Sequence, residues 1–362
     1  LMSIIFNTVD RKPDDLAALL YTSGTTGRSK GAMLTQNNLL SNAKTLKKLW
    51  QVTKSDILIH ALPIFHTHGL FVALNTAMLA GAKVNFIPKF DIDEIIERLH
   101  ASTLLMGVPT FYTRLLADYR LTEKLTKNMR LFISGSAPLL SETHEEFTKR
   151  TGHHILERYG MTETNMITSN PYHGERRPGT VGKPLADVQM KITDPETGTE
   201  MAEGEIGMIE VRGPNVFKGY WNMPDKTALE LRETGYFITG DLGKLSSDGY
   251  LSIVGREKDL IISGGYNVYP KEVEDILNEL NQIDETAVFG IQDNDLGERV
   301  VAAVVLENDK NFNQRKTEVF VNEKLARYKQ PKEYFVLDSL PRNSMGKVQK
   351  NELRKRFSSS DI

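Results

Sequence analysis

Apolar and polar positions alternate in blocks over the first part of the chain, up to about residue 159. Short apolar runs predict strands, and the amphipathic segments between them predict helices. The predicted strands are residues 16–21, 57–62, 83–87, 103–106, 131–133 and 154–157. The predicted helices are residues 36–50, capped by Thr35, and residues 91–100, 109–118 and 141–151. This alternation predicts an α/β fold, a parallel-type sheet with helices on its faces, in which residues 16–21 are a buried strand.

The pattern changes after residue 179. Short β-like segments separated by Gly, Pro and Asp turns predict a β-rich subdomain up to residue 253. Nearer the C-terminus the predicted elements are helix 270–281, strands 286–290 and 300–306, helix 316–326 and strand 334–337. They predict a compact α+β unit. We therefore predict a large domain over residues 1–257 and a smaller α+β domain over residues 258–362.

The loop at residues 21–31 carries the clearest chemistry. Its sequence, YTSGTTGRSKG, combines glycines, hydroxyl side chains and two cations. Glycine lets a backbone approach a ligand closely, hydroxyl and N–H groups donate hydrogen bonds, and cations neutralise negative charge. The loop therefore predicts a phosphate-chain site, although a surface turn would be the better interpretation if it stood alone. It is not a P-loop, because G-x-x-x-x-G-K-[ST] cannot be aligned on Gly24, Gly27 or Gly31.

Further motifs follow along the chain in a fixed order. They are Phe65-His66, SGSAP at 134–138, YGMTE at 159–163, Thr239-Gly240-Asp241, GREKD at 255–259, Gly264-Gly265 and PRNSMGK at 341–347. With the loop, they resemble the adenylate-forming enzymes (acyl-CoA synthetases, peptide adenylation domains and luciferases). In that family a substantial region precedes the loop, so we predict that this chain is truncated at its N-terminus.

The resemblance implies that a carboxylate is coupled to AMP, with ATP and Mg²⁺, and is then transferred to coenzyme A. The residues implied in phosphate binding are Thr22, Ser23, Gly24, Thr25, Thr26, Gly27, Lys30 and Thr162. Glu163 would bind the Mg²⁺ ion, which prefers oxygen ligands from phosphates and one or two carboxylates. The residues implied at adenine and ribose are Ser136, Ala137, Pro138, Tyr159, Gly160, Asp241 and Arg256. Outside these motifs, Glu163 would be interpreted as a solvated charge, Tyr159 as a core residue and Asp241 as a turn residue.

The resemblance assigns three roles to the C-terminal region. Lys347 would be the catalytic lysine that bridges the carboxylate and the α-phosphate. Lys258 would lie at the hinge about which the small domain moves. Gly264, Gly265 and Tyr266 would line the tunnel for the pantetheine arm of coenzyme A, although a β-turn alone would also explain the two glycines.

The acyl pocket is implied in residues 65–70 and 107–114. A fatty-acid pocket would have apolar side chains, but these segments contain His66, His68 and Arg114. Arginine suits a carboxylate because its planar guanidinium donates two parallel hydrogen bonds. This pattern resembles the malonyl-CoA synthetases. The resemblance implies malonate (or methylmalonate) as substrate, with Arg114 clamping its second carboxylate and His66 as a further catalytic residue. The alternatives are a solvent-facing Arg114 and a medium- or long-chain fatty acid.

Composition narrows the class of protein. The net charge of −2 provides no basic field for nucleic acid, and the absence of cysteine excludes disulfides and thiolate chemistry within this sequence. No apolar stretch has the length of a membrane span, so we predict a cytoplasmic protein, or one of an organelle matrix if a targeting segment is missing.

Two alternative functions stay open. One is a CoA-independent acyl-AMP ligase or peptide adenylation module, and the other is a fragment that only binds nucleotide. The sequence leaves the oligomeric state open.

Overall fold

The computed structural model describes residues 8–22, 29–307, 310–343 and 346–358. The chain divides into two compact units. The first comprises residues 1–191, 210–239 and 245–252, and the second comprises residues 192–209, 240–244 and 253–362. The functional boundary that we placed after residue 257 stays a prediction.

The predicted phosphate loop lies in the sequence between β1 (Leu16–Thr22) and β2 (Lys30–Thr35), an antiparallel pair in which Thr22 pairs with Lys30. Residues 23–28 of the predicted site lie outside the described residues. The prediction that residues 16–21 form a buried strand was wrong about burial. Leu16 and Leu19 are 41% and 39% exposed because β1 belongs to a two-stranded sheet with β2. Helix α1 (Gln36–Leu49) begins as predicted at Thr35, whose side chain accepts from the Asn38 N–H.

A seven-stranded sheet forms the centre of the first unit. Its strands are β3 (Ile57–His60), β4 (Lys83–Phe86), β5 (Leu104–Gly107), β6 (Leu131–Ser134), β7 (Leu156–Met161), β8 (Asn165–Ser169) and β9 (Lys183–Pro184). They lie in the order β4-β3-β5-β6-β7-β8-β9, the first five parallel and the last two antiparallel. Ligands in such sheets bind beyond the carboxyl ends of the parallel strands.

Helices and a π-helical segment connect these strands. The helices are α2 (Asn75–Ala80), α3 (Ile92–Leu99), α4 (Pro109–Ala117), α5 (Glu123–Thr126) and α6 (Ser141–Thr151). The π-helix His68–Leu74 follows β3. Apolar side chains from strands and helices, including Leu58, Leu105 and Phe147, are fully buried in one core.

A four-stranded sheet follows in the chain, as the β-rich pattern after residue 179 predicts. Its strands are β10 (Gln189–Thr193), β11 (Gly207–Arg212), β12 (Phe237–Leu245) and β13 (Leu251–Arg256), which neighbour one another in that order. The connection between β11 and β12 contains α7 (Pro224–Glu230). Proline begins this helix, where its missing N–H costs no hydrogen bond.

The second unit contains a mixed five-stranded sheet. Its strands are β14 (Ile261–Ser263), β15 (Tyr266–Val268), β16 (Ile283–Asp293), β17 (Gly297–Leu306) and β18 (Glu333–Leu337). The helices are α8 (Pro270–Asn278), α9 (Gln314–Lys324) and α10 (Lys350–Ser358). Along β17, Val300, Ala302 and Val304 belong to one core, and Val301, Ala303 and Val305 to another. Both faces of the strand are therefore buried, which explains its unbroken apolar sequence.

The structure confirms the predicted fold class, an α/β protein with helices on a largely parallel sheet and a smaller α+β region. Among the described residues, no helix combines the length and hydropathy that a membrane span requires.

Candidate active site

The predicted site residues fall into both units. Those for phosphate, Mg²⁺, adenine and the acyl group belong to the first unit, and those for ribose, hinge, tunnel and catalytic lysine belong to the second.

Four largely buried side chains of the first unit, Lys30, Glu163, Tyr220 and Glu230, form an ionic cluster that we call the Lys30 cluster. The Lys30 ammonium donates to Glu230 Oε2 at 3.2 Å and to the Tyr220 hydroxyl at 3.1 Å. That hydroxyl lies 2.6 Å from Glu230 Oε2 and 3.0 Å from Glu163 Oε1. Thr22 Oγ1 donates to Glu163 Oε1 at 3.5 Å. The structure therefore brings together the predicted phosphate and Mg²⁺ residues Lys30, Thr22 and Glu163.

The charges of the Lys30 cluster stabilise one another. Burial alone would raise the pKa of Glu230, but hydrogen bonds from Lys226 and Tyr220 and the charge of Lys30 outweigh it and lower the pKa. Glu230 is therefore ionised at neutral pH. Burial and the charge of Glu163 raise the pKa of Tyr220, so this phenol keeps its proton.

A magnesium ion fits the Lys30 cluster if phosphates supply most of its ligands. Among the described residues, no group of three or more His, Asp or Glu side chains converges on a metal position. Glu163 is only 4% exposed and presents a carboxylate beside the hydroxyls of Thr22 and Tyr220. One carboxylate together with substrate phosphates and water is a usual donor set for Mg²⁺.

A second buried group in the first unit, which we call the Arg158 cluster, consists of Arg158, His68 and His60. Arg158 lies in β7, His60 ends β3, and His68 begins the π-helix. They are 2%, 0% and 1% exposed. Within the described residues, Nε and Nη2 of Arg158 and Nε2 of His68 have no hydrogen-bond partner. Buried polar groups without partners are rare in proteins, which points to a ligand at this position.

Burial shifts the pKa values of this cluster. It lowers the pKa of the Arg158 guanidinium to about 9, so this group is still charged at neutral pH. Burial and the charge of Arg158 hold the pKa of His68 well below its usual value. Burial lowers the pKa of His60 to about 4. A hydrogen bond with the Leu62 backbone has the opposite effect, but burial outweighs it. The cluster therefore carries one positive charge and two neutral imidazoles.

Glycine 135 makes room for this guanidinium. A Cβ atom at that position would lie 2.4 Å from Cζ of Arg158, closer than any real contact. The motif residue Ser136 follows with φ = 71°, which is unusual for a residue with a side chain, and its Oγ lies 3.2 Å from Nδ1 of His68. The predicted adenine segment and the Arg158 cluster are therefore adjacent.

The other predicted residues of the first unit differ in burial. Tyr159 and Thr162 are each 8% exposed, Ala137 and Gly160 are partly buried, and Pro138 is exposed. His66 is partly buried and its Nδ1 accepts from the backbone N–H of His68 at 3.2 Å. The roles predicted for these residues stay predictions.

Arg114 occupies a different position from the one that a buried clamp requires. Its side chain is exposed on α4, and its guanidinium lies 5.2 Å from the ring centroid of Phe90. Arg158 is the buried cation instead, and the sequence analysis did not single it out. Its place directly before Tyr159 in the YGMTE motif was the available signal.

In the second unit, the predicted ribose residues form an ion pair. Arg256 Nε lies 2.9 Å from Oδ1 of Asp241, which is 5% exposed. Partial desolvation and the nearby charges of Arg256 and Arg354 lower the pKa of Lys258. Arg354 also pairs with Asp259 at 3.1 Å, so the predicted hinge residue Lys258 belongs to a network of charges.

The predicted tunnel residues form a tight turn. Gly264 and Gly265 connect β14 to β15 with φ values of 59° and 80°, which a two-residue type I′ hairpin requires and glycine adopts without strain. Tyr266 is 60% exposed and stacks on Tyr328 at 4.8 Å between ring centroids. Backbone geometry therefore accounts for the two glycines, and it leaves a tunnel role open.

The predicted catalytic lysine is held by its own loop. The backbone N–H of Lys347 donates to Asn343 Oδ1 at 3.0 Å, and the Asn343 N–H donates back to the Lys347 carbonyl at 3.0 Å. Arg342 donates to the Gly346 carbonyl at 2.7 Å and pairs with Glu285. The Lys347 side chain is exposed.

The chain matches two families of known proteins along its length. The AMP-binding enzyme family matches residues 6–221, and the AMP-binding enzyme C-terminal domain matches residues 272–347. A malonate–CoA ligase of Arabidopsis thaliana is 40% identical over 96% of this chain and 62% of its own length. A long-chain-fatty-acid–CoA ligase of Bacillus subtilis is 38% identical over 94% of this chain and 61% of its own length.

Among solved structures, ATP-bound MatB from Rhodopseudomonas palustris is 57% identical, with a TM-score of 0.96 over 98% of this chain and 71% of that one. The chain thus spans about three fifths of the length of the two curated relatives. With the motifs in the same order and the fold in common, the chain belongs to the AMP-binding enzyme family.

Proposed function

We propose that the intact protein is an ATP-dependent acid–CoA ligase, which converts a carboxylate, ATP and CoA into acyl-CoA, AMP and pyrophosphate through an acyl-adenylate. Malonate, or methylmalonate, is the favoured acid. The observation that carries the choice of acid is the buried guanidinium of Arg158, which has polar atoms without partners. The similarity to the Arabidopsis malonate–CoA ligase supports the same choice.

The chemistry of the acid distinguishes the two types of relative, malonate–CoA ligases and long-chain-fatty-acid–CoA ligases. A fatty acid has one carboxylate, which must react, and an alkyl chain that gains nothing from a buried charge. A dicarboxylate retains one anionic group after activation, and a buried guanidinium then provides a strong, charge-assisted partner. Because Arg158 is buried and Arg114 is exposed, we assign the second carboxylate to Arg158 rather than to Arg114.

The remaining residues would activate the first carboxylate. Lys30, Thr22 and the loop residues up to Gly27 would hold the β- and γ-phosphates, and Glu163 would hold Mg²⁺. The ion, when bound, would neutralise phosphate charge. Tyr159 and the 136–138 backbone would contact adenine, while Asp241 accepts from the ribose hydroxyls. Lys347 would donate to the carboxylate and the α-phosphate as charge develops between them.

Two further roles complete the proposal. The turn at Gly264 and Gly265 would pass the pantetheine arm of CoA, and Lys258 would serve as the hinge. The cytoplasmic or organelle-matrix location stays a prediction that subcellular fractionation would test.

The experiment that tests the proposed function measures AMP produced by the intact protein with and without CoA. Malonate, acetate, succinate and octanoate are compared as substrates. We expect CoA-dependent turnover that favours malonate. Preference for octanoate would move the protein to the fatty-acid class, and adenylate formation that ignores CoA would indicate an acyl-AMP ligase or adenylation module. Nucleotide binding without turnover of any acid would contradict the proposal.

The role of Lys347 is tested by separating the two half-reactions. We expect Lys347→Ala to slow adenylate formation by about 10²–10³-fold, because it removes a preorganised positive donor. Thioester formation from synthetic malonyl-adenylate should change much less. An equal loss in both half-reactions would remove this role. Lys355→Ala, in the exposed part of α10, serves as the matched control.

A further inference from the structure

Glu230 belongs to the Lys30 cluster, but neither the motifs nor the proposed reaction give it a role. It is the last residue of α7, and its side chain is 22% exposed. Its carboxylate accepts from Lys30 at 3.2 Å, the lysine that we assign to the phosphates. Lys30 therefore already has an anionic partner within the protein.

The hydroxyl of Tyr220 limits how the cluster shares hydrogen bonds. A phenol carries one hydrogen, and an ionised carboxylate donates none. Tyr220 can therefore donate to Glu230 at 2.6 Å or to Glu163 at 3.0 Å, but not to both. The second carboxylate depends on another donor. Lys30 supplies further hydrogen bonds, because its ammonium donates to Glu230 and to the phenol oxygen.

Glu230 has partners that do not involve Lys30. Lys226, one turn earlier in α7, lies 2.7 Å from Glu230 Oε1, while Tyr220 contacts Oε2. If Lys30 turned to another anion, both oxygens of Glu230 would still accept a hydrogen bond. The departure of Lys30 would therefore not leave a buried carboxylate without a donor, which would be costly.

Triphosphate and Glu230 compete for the same cation. Two anions near one ammonium repel each other, and partial burial strengthens that repulsion. Phosphates approaching Lys30 must therefore displace the Glu230 carboxylate from it. The same displacement leaves the Tyr220 hydrogen to Glu230 and releases Glu163 from the phenol.

We propose that Glu230 is a resident anion that occupies Lys30 in the free protein and is displaced from it by the phosphates of ATP, while Lys226 and Tyr220 keep Glu230 paired. Glu230 is thus a positioning residue that sets the affinity for ATP. This inference rests on the phosphate-binding role proposed for Lys30.

The test measures ATP affinity by calorimetric titration of the intact protein, without acid or CoA. Glu230→Gln keeps the shape of the side chain and removes its charge, so we expect ATP to bind about fivefold tighter, or about 1 kcal/mol. Asp225→Asn is the matched control, because it removes a carboxylate from the same helix at an exposed position. It should leave the affinity within about twofold. Unchanged or weaker binding in Glu230→Gln would overturn the proposal.

A second variant should change the ATP affinity in the opposite direction. Lys226→Met removes one of the two partners that keep Glu230 paired, so Glu230 should hold Lys30 more strongly and ATP should bind about fivefold weaker. In a Glu230→Gln background the same change should have almost no effect. An equal loss in both backgrounds would mean that Lys226 attracts ATP directly, and the proposal would fail.

Lys30→Met separates this inference from the proposed function. Weaker ATP binding in Lys30→Met, together with no effect of Glu230→Gln, would overturn only the role of Glu230. Wild-type ATP affinity in Lys30→Met would remove the phosphate role of Lys30 and, with it, this inference.

Discussion

The Lys30 cluster and the Arg158 cluster are both buried and polar, and both lie in the first unit, but they balance charge in opposite ways. In the first, the lysine is paired with Glu230 and shares a phenol with Glu163. In the second, polar atoms of Arg158 and His68 have no partner within the described residues. Where a protein supplies its own counter-ion, an anionic ligand must compete with it. Where it leaves a buried cation without one, an anion gains a strong partner without such competition.

The largest expected effect comes from removing the guanidinium of Arg158. Arg158→Met should lower kcat/KM for malonate by about 100-fold or more, since removing one partner of a buried, hydrogen-bonded charge pair costs roughly 2–5 kcal/mol. Arg114→Met is the matched control and should stay within about twofold, because its guanidinium is exposed. Steady-state AMP assays at fixed ATP and CoA give both values. If Arg114→Met showed the large loss instead, the sequence-based assignment would be restored.

The same substitution should make the free protein more stable. A guanidinium buried without an anionic partner is unfavourable, so replacing it by an apolar side chain of similar length should raise the free energy of unfolding by ~2–3 kcal/mol. Urea denaturation of both proteins without substrate measures this difference. A less stable Arg158→Met protein would mean that the charge of Arg158 is balanced within the fold. The Arg158 cluster would then not differ from the Lys30 cluster in this respect.

The imidazoles of the Arg158 cluster should make the protein sensitive to acid. The pKa of His60 is about 4 in the folded protein against 6.5 as the ordinary value, so the unfolded chain binds more protons between these pH values. Stability therefore falls as the pH falls below about 6.5. Between pH 7 and pH 5 the contribution of His60 is about 2 kcal/mol.

Replacing this histidine tests that prediction. In His60→Leu, the loss of unfolding free energy between pH 7 and pH 5 should be smaller than in the wild type by about 2 kcal/mol. His100→Leu is the control, since that side chain is exposed. An acid dependence that is the same in His60→Leu and the wild type would mean that other groups cause it.

The smallest effect is expected at the phenol of the Lys30 cluster. Tyr220→Phe removes the hydrogen bond that the phenol donates to one carboxylate and the one that it accepts from Lys30, while Lys30 and Lys226 still face Glu230. We expect the free energy of unfolding to fall by about 1 kcal/mol, the usual value of one hydrogen bond. Guanidinium denaturation measures it. A loss above about 3 kcal/mol would contradict this expectation, because it exceeds what one hydrogen bond to a carboxylate contributes.

Local pattern was enough to predict much of the fold. The amphipathic segment at 141–151 coincides with α6, and Thr35 begins α1 through its own side chain. These features depend on residues within a few positions of one another, where periodicity and capping act. The burial of β1 was predicted wrongly because it depends on which sheet the strand joins, and residue pattern alone does not specify that.

The candidate site, like the fold, could be predicted from the sequence only in part. Motifs indicated Lys30 and Glu163, but not Tyr220, which lies 57 positions from Glu163 and outside every motif used. Arg158 precedes a recognised motif, yet an arginine in a strand is ordinarily solvated. Its burial requires the space that Gly135 leaves, which only the packing of β6 and β7 reveals.

One competition assay tests directly whether the buried guanidinium of Arg158 recognises the second carboxylate. Malonate and propionate, which differ in whether a second carboxylate is present, are offered together to the wild type and to Arg158→Met with ATP and CoA, and the two acyl-CoA products are quantified. We expect the wild type to form almost only malonyl-CoA and Arg158→Met to lose this preference or reverse it. A preference for malonate that survives unchanged in Arg158→Met would contradict the claim that the buried guanidinium recognises the second carboxylate.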